Sequence, residues 1–486
     1  MNPRLKRLMK IAFVVASTLG AFLFIVFAHP VGAQNSSQTG TLKLPAYHKT
    51  KLPNGLTLLL MEKHELPLVS FHLVLKAGST ADPVGMEGTA SVTAAMLRRG
   101  TQTRSAEQFS NELDFIGGTF NAGSSTDTTI ISAEFLKKDL PKGLDLLSDP
   151  LMHPTFPEAE LTKMITQRVN GVRQSKDSAA QVIGIYFNGY LLGSHPYARP
   201  AGGDEQSLAR ISRDTVAKFY AAYYKPGNAI LAVVGDFNSA DLEKLLAAQF
   251  GSWPAGSAPA VPISDPKPVI GKRLLLVDKP DSTQTYFRIG NVGISRTNPD
   301  RVAVNVVNTL FGGRYTSMIN SALRIQSGLT YGAGAGFDER RAAGPFFINT
   351  YTRNATTEKA MDMALDVLKQ LHEKGITAEQ LASAKAYLKG QYPQRMETSD
   401  ELASTIADLE VYGFDASEVN DFYARVDAVT LADAQRIIQK YYPLDNLVFV
   451  VVGKAGEIGP VVKKYAPQED ARSISDPGFW PASAPH

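Results

Sequence analysis

Eight histidines supply the imidazoles with which this 486-residue chain could bind a metal or move a proton: His29, His48, His64, His72, His153, His195, His372 and His486. A helical metal site needs two ligands one turn apart, and no two of these are four residues apart. The chain has no cysteine, which removes thiolate nucleophiles and every Cys-based metal site. It has no G-x-S-x-G elbow and no P-loop, and "YGAGAGF" (Tyr331 to Phe337) is not G-x-G-x-x-G. Those glycines suit close backbone approach along a strand. His195, in "HPY", reads as a hydrogen-bonded structural residue. His64 and His72, on an extended hairpin, are expected at the solvent surface. The basic cluster "LRRGTQTRS" reads as a solvated helix end, with Arg104 exposed.

The stretch "GTASVTAAMLRRGT" (Gly88 to Thr101) has the frame of a helix and no chemistry. Thr89 can cap its start, small and apolar residues fill its middle, Arg98 and Arg99 suit its C-terminal dipole, and Gly100 ends it. Around it, "LTLLLMEK", "SFHLVLKAG" and "TTIISAEF" read as strands, and helices are expected around 88–98, 105–116, 137–149 and 157–175. A second set follows: strands "RLLLVD" and "TYFRIGNVG", then helices near 298–311, 315–326, 356–373 and 377–391.

The two sets echo each other. "ISRDTVAKFYAAYYKPGNAILAVVGDF" from Ile211 overlays "VTLADAQRIIQKYYPLDNLVFVVVGKA" from Val429 at an offset of 218 residues. Tyr223-Tyr224 matches Tyr441-Tyr442, Asn228 matches Asn446, and Gly235 matches Gly453, which points to duplication. "AILAVVG" and "LVFVVVG" have the length and unbroken apolar character of buried central strands. The Pro/Gly/Ser-rich stretch 251–272 reads as the linker. The expected fold is α+β: two homologous halves of about 200 residues (45–250 and 273–466), each a mixed, mostly antiparallel sheet with helices packed on it, closed as a clam-shell. The polar, Pro-rich tail 467–486 is expected to be poorly ordered.

Arg4, Lys6, Arg7 and Lys10 precede the apolar run Ile11–Ala28, and "VGA" ends at Ala33. Residues 1–33 therefore read as an export signal, with an uncleaved membrane anchor as the alternative. This predicts a periplasmic or otherwise extracytoplasmic protein, touching membrane only if the leader is kept. Those four cations exceed the formal net charge of +3, so the basic balance belongs to the leader and gives no sign of nucleic-acid binding.

Three segments carry a family resemblance: "LPNGLTLLLMEKHELPLVSFHLVLKAGSTADP", "SHPYARPAGGDEQSLARISRDTVAKFYAAYYKPGNAILAVVGDF" and "LFGGRYTSMINSALRIQSGLTYGAGAGF". Their order and spacing resemble the pitrilysin/insulinase-type peptidases over roughly residues 45 to 465. Active members carry H-x-x-E-H on the helix after the opening hairpin, where two His bind zinc and the Glu activates water. On the "G…ML..GT" frame the motif falls on Ser91, Ala94 and Ala95, and the third ligand, a Glu, falls near Asn170 or Gly171, with no carboxylate from 169 to 172. The resemblance implies that this chain holds no zinc. It also places the family's substrate-contacting Arg and Tyr on Arg324 and Tyr331, where guanidinium N–H groups could hold a peptide carbonyl or carboxylate and the phenol could donate to an oxyanion. Members of this length often work as pairs. The resemblance thus implies a subunit that supplies Arg324 and Tyr331 to unfolded peptide in a zinc-bearing homologous partner, with zinc expected only in that partner. The alternative is an inactive peptide-binding or structural subunit of an envelope complex.

Overall fold

The computed structural model describes residues 42–479, so the leader and the last seven residues lie outside it. Each half builds a six-stranded sheet. The first runs β1-β2-β6-β3-β5-β4, from β1 (His48–Lys51), β2 (Thr57–Glu62), β3 (Leu68–Leu75), β4 (Thr119–Ser124), β5 (Thr129–Leu136) and β6 (Ala229–Gly235). The second runs β12-β7-β11-β8-β10-β9, from β7 (Lys272–Asp278), β8 (Gln284–Val292), β9 (Ala333–Phe337), β10 (Pro345–Arg353), β11 (Leu447–Gly453) and β12 (Gln468–Ser473). Only β2–β6, β7–β11 and β7–β12 pair in parallel; the other neighbours are antiparallel. The α+β, mostly antiparallel expectation stands.

The longer helices of the first half are α1 (Thr89–Met96), α2 (Ala106–Phe115), α3 (Leu140–Met152), α4 (Glu158–Ser175), α5 (Ala179–Leu192), α6 (Arg213–Tyr223) and α7 (Ser239–Phe250). Their counterparts are α8 (Arg301–Asn308), α9 (Thr357–Lys374), α10 (Ala378–Gln391), α11 (Ser399–Tyr412), α12 (Leu431–Tyr441) and α13 (Ala455–Val462). The repeat extends to the caps. Ser212 accepts from the Thr215 N–H and Thr430 from the Asp433 N–H, each completing a capping box.

Every residue of β6 and β11 is buried, as their unbroken apolar runs require. The cover is reciprocal. One face of each sheet packs on its own half's helices, while α5 of the first half lies on β8 and β11, and α11 of the second half lies on β3 and β6. Strands so enclosed lose the alternation of a half-exposed sheet. The sequence boundary between the halves is therefore not the boundary between their cores.

This exchange overturns one expectation. His72 on β3 is 8% exposed and its Nδ1 finds no partner, because α11 covers it; His64 is at the surface, its Nδ1 2.7 Å from Asp236. Burial pushes the His72 imidazole below its ordinary value, against the pull of Asp400 and Asp408 on α11. Because the folded state disfavours the charged ring, His72 costs no stability above its unfolded pKa of about 6.5. Stability falls as the pH drops from there toward the lower folded value. Thermal melts of wild type and His72→Gln between pH 8 and 5 should show the wild type losing more stability below pH 6.5. Parallel curves would contradict this.

The tail also departs from expectation. Residues 468–473 form β12, in parallel register with β7, and Tyr190 on α5 donates to Asp470 at 2.7 Å. Phe479 is 2% exposed, its ring 5.3 Å from that of Tyr186. A polar segment suits an edge strand, where the backbone pairs and the side chains remain wet; a few apolar anchors fix it. Residues 254–270 form no helix or strand but are pinned to the body: Asn291 exchanges hydrogen bonds with the Val269 backbone, and the His195 ring lies 2.9 Å from the Ser264 carbonyl.

Arg104 is not a solvated residue. It is 11% exposed and meets three carboxylates, Glu112 at 2.8 Å, Asp149 at 2.7 Å, and Asp145. The basic run encodes a buried ionic cluster between α2 and α3.

Candidate functional site

The site begins at α1. Its first turn is capped by Asp82 rather than by Thr89: the Gly88 and Ala90 N–H groups donate to the Asp82 carboxylate at 2.8 and 2.7 Å, while the Thr89 hydroxyl donates to the Met86 carbonyl. Asp82 is reached only through the fold, six residues upstream. Burial pushes its carboxyl up to about 7, even though both backbone donors favour the charged form. Gly88 sits at φ 97°, where a Cβ would meet the Gly202 carbonyl at 2.9 Å, so the helix entry requires glycine.

Beyond the cap, Ala94 is fully buried and Ser91 and Ala95 are half-buried. Opposite them runs α4, where Asn170 and Gly171 are exposed. The side chain that crosses to α1 is Arg168, which the sequence reading did not single out. Its Nη1 donates to the Ser91 hydroxyl at 2.9 Å and its Nη2 to the Ser91 carbonyl at 3.2 Å. Burial pushes this guanidinium below its ordinary value. Zinc does not fit here. Ser91, Ala94 and Ala95 offer no imidazole or carboxylate, a cation is hydrogen-bonded at the first motif position, and among the described residues no three His, Asp or Glu converge to hold a metal.

This makes a prediction sharper than motif loss alone. The Ser91→His/Ala95→His variant restores two ligands, yet it lacks the third ligand and the water-activating Glu, and it leaves Arg168 beside the new imidazole. Metal analysis should find no stoichiometric zinc in that variant or in the wild type, and neither should cleave peptide. About one zinc per chain in the variant, with peptidase activity, would sink the placement of the motif.

The second cluster lies before β9. A short helical turn at Met318–Asn320 continues as a π-helical segment, Ser321–Gln326, which carries Arg324. The chain turns at Gly328 (φ 62°) and passes Tyr331 into β9. The two expected residues do meet: the Arg324 Cζ lies 4.4 Å from the Tyr331 ring centre. A third residue, not foreseen, joins them. Tyr315 places its ring centre 4.9 Å from the same carbon. Tyr331 is 75% and Tyr315 61% exposed, and Arg324 has no ion pair or side-chain hydrogen bond among the described residues.

Buried polar groups brace this trio. Asn320, 4% exposed, donates to the Tyr315 carbonyl at 2.6 Å and accepts from the Ala333 N–H at 3.1 Å, which ties both tyrosine-bearing segments to one side chain. From β10, the Thr350 hydroxyl donates to the Gly332 carbonyl and that of Thr352 to the Leu329 carbonyl. Cation–π contact holds the guanidinium while leaving its N–H groups free for an acceptor. The cluster can bind a carbonyl or carboxylate and offer a phenol proton.

The comparisons agree with this division of features. The family model described as Insulinase (Peptidase family M16) matches residues 57–184, and that described as Peptidase M16 inactive domain matches 210–388. A Streptomyces coelicolor protein named as an uncharacterized zinc protease is 23% identical over 80% of this chain and 86% of its own. The Helicobacter pylori "Non-peptidase homolog YmxG" is 23% identical over 80% of this chain and 90% of its own. Among solved structures, a peptidase M16 inactive domain from Pseudomonas fluorescens is 27% identical with a TM-score of 0.79, covering 84% of this chain and 98% of that one. A Helicobacter pylori protease structure has the same TM-score at 22% identity, over 84% of this chain and 100% of that one. With both family models in chain order, two six-stranded sheets of the matching fold and no metal ligands on α1, this chain belongs to the insulinase-type peptidase family M16, as a homologue without the family's zinc motif.

Proposed function

We propose that this chain is the zinc-free subunit of a two-chain peptidase, giving Arg324 and Tyr331 to peptide bound in a homologous partner that carries H-x-x-E-H. One observation carries the reading: an exposed Tyr331 and a half-buried Arg324 are in contact and braced from behind by Asn320, in a chain whose α1 has lost all ligand chemistry. The Arg324 guanidinium N–H groups and the Tyr331 hydroxyl have no hydrogen-bond partner among the described residues, which leaves them free for a ligand. In this role Arg324 anchors a backbone carbonyl and Tyr331 donates to the oxygen that gains charge. The basic and apolar leader supports export, so the pair works outside the cytoplasm.

A second reading is a peptide-binding or structural subunit of an envelope complex. It is favoured by the open edge at β4, where unpaired backbone groups could take an extended chain, and by the "non-peptidase" name of one relative. Purification of the native chain from envelope fractions separates the two. The first reading expects a co-purifying homologue with about one zinc per pair and peptidase activity. A stable zinc-free complex without such a homologue would overturn it.

A further inference from the structure

We infer that Arg168 forms a carboxylate-binding site on α1, at the position where the family's zinc motif begins, suited to a peptide's terminal or side-chain carboxylate. The inference concerns α1 and α4 and stands apart from the role proposed for Arg324 and Tyr331.

The argument is one of charge. Arg168 is half-buried, and its two hydrogen bonds go to neutral oxygens, both on Ser91. A guanidinium has five N–H donors, so three remain. Several other guanidiniums withdrawn from water in this chain have compensation. Arg104, Arg296 and Arg301 meet carboxylates, while Arg273 lies on the Tyr190 ring and Arg288 on the Phe347 ring. Among the described residues Arg168 has neither an ion-pair partner nor an aromatic face. A partly desolvated charge without a counter-charge is costly, and an incoming anion relieves that cost.

The surroundings add to the imbalance. Helical spacing puts Ser91 and Ala95 on one side of α1, and a tight helical turn, Leu97–Arg99, follows it. Arg98 is half-buried without an ion pair among the described residues, and Arg99 reaches Glu160 of α4 at 3.7 Å. Glu160 lies two turns from Arg168 and is taken by Arg99. Arg99 and Glu160 thus satisfy each other, which leaves Arg168 without a carboxylate among the described residues. The planar fork of arginine matches a carboxylate in two parallel hydrogen bonds. A peptide is the fitting bearer, because α1 packs against β4, the open edge of the first sheet.

The test uses the whole purified chain, immobilised, and three pools of random octapeptides. One pool has a free C-terminus and no Asp or Glu, one is the same pool C-terminally amidated, and one is amidated with a single internal Glu. Wild type should retain the first or third pool about tenfold over the neutral amide, and which of the two it prefers identifies the source of the carboxylate. Arg168→Met should abolish the preference, Arg168→Lys should keep part of it, and Lys244→Ala, at an exposed surface lysine, should leave it unchanged. Circular dichroism checks that each variant folds. Equal retention of the three pools by wild type overturns the inference whatever the variants do, as does a preference that survives in folded Arg168→Met.

Discussion

Tyr331→Phe in a reconstituted pair with a zinc-bearing homologue should lower kcat on the order of 10²–10³-fold, about 3–4 kcal/mol, the usual loss for one oxyanion donor. The substitution removes a single hydroxyl from a side chain that is 75% exposed and keeps the ring against Arg324, so assembly and zinc content should not change. Arg324→Ala should raise KM as well as lower kcat, because an anchor made in the ground state is lost together with any transition-state contact. Tyr315→Ala separates positioning from contact. It frees one face of the guanidinium, 4.9 Å away, without touching the phenol, and should affect KM more than kcat. Lys244→Ala, at a lysine 78% exposed, is the surface control. Steady-state kinetics of the reconstituted pair decides the matter: wild-type turnover in both Tyr331→Phe and Arg324→Ala would remove the active-site role and leave the scaffold reading.

Much of this architecture is legible in the sequence because it is written in local patterns. The apolar runs of β6 and β11, the capping residues Ser212 and Thr430 and the offset of 218 residues fix two copies of one unit. Arg324 and Tyr331 are singled out by the family resemblance rather than by local pattern; that they touch follows from lying seven positions apart across one glycine turn. What escapes is whatever depends on chain brought from far away. His72 is buried by a helix more than three hundred residues downstream, and a hairpin pattern cannot announce that cover. Tyr315 and Arg168 carry no motif; each matters through the contact it makes, and the one hint for Arg168 is a cation one turn before an expected carboxylate. The tail's composition was read as disorder, yet β12 needs only backbone pairing and Phe479. Arg104 is the plainest case. Its run of basic neighbours suggests solvent, while its partners Glu112, Asp145 and Asp149 lie on α2 and α3.

That cluster gives the largest stability effect expected here. Arg104→Ala should destabilise the folded chain by about 3 kcal/mol at pH 7, the lower end of the cost of breaking a buried ion pair. Most of the loss should come through Asp149, 5% exposed, which would keep the hydroxyl donors of Thr101 and Thr103 and the His153 ring 3.5 Å away; Glu112 and Asp145 are 35% and 43% exposed and can be rescued by water. Burial raises the Asp149 carboxyl, but the bonds from Thr101, Thr103 and Arg104 outweigh it and hold the group below its ordinary value; bonds from Lys142 and Arg104 do the same for Glu112. For carboxyls depressed in the folded state, the stabilisation is complete above the unfolded pKa, near 4, and is lost as pH falls through the folded value. The carboxyls' share of the Arg104→Ala deficit should therefore stay constant from pH 8 to about 5 and narrow only below about 4. Lys218→Ala provides the contrast: its pair with Asp214 is 77% and 71% exposed, so its removal should cost less than about 0.5 kcal/mol. Denaturant midpoints across that pH range measure both. An Arg104→Ala deficit no larger than that of Lys218→Ala would mean that Asp149 does not depend on this guanidinium.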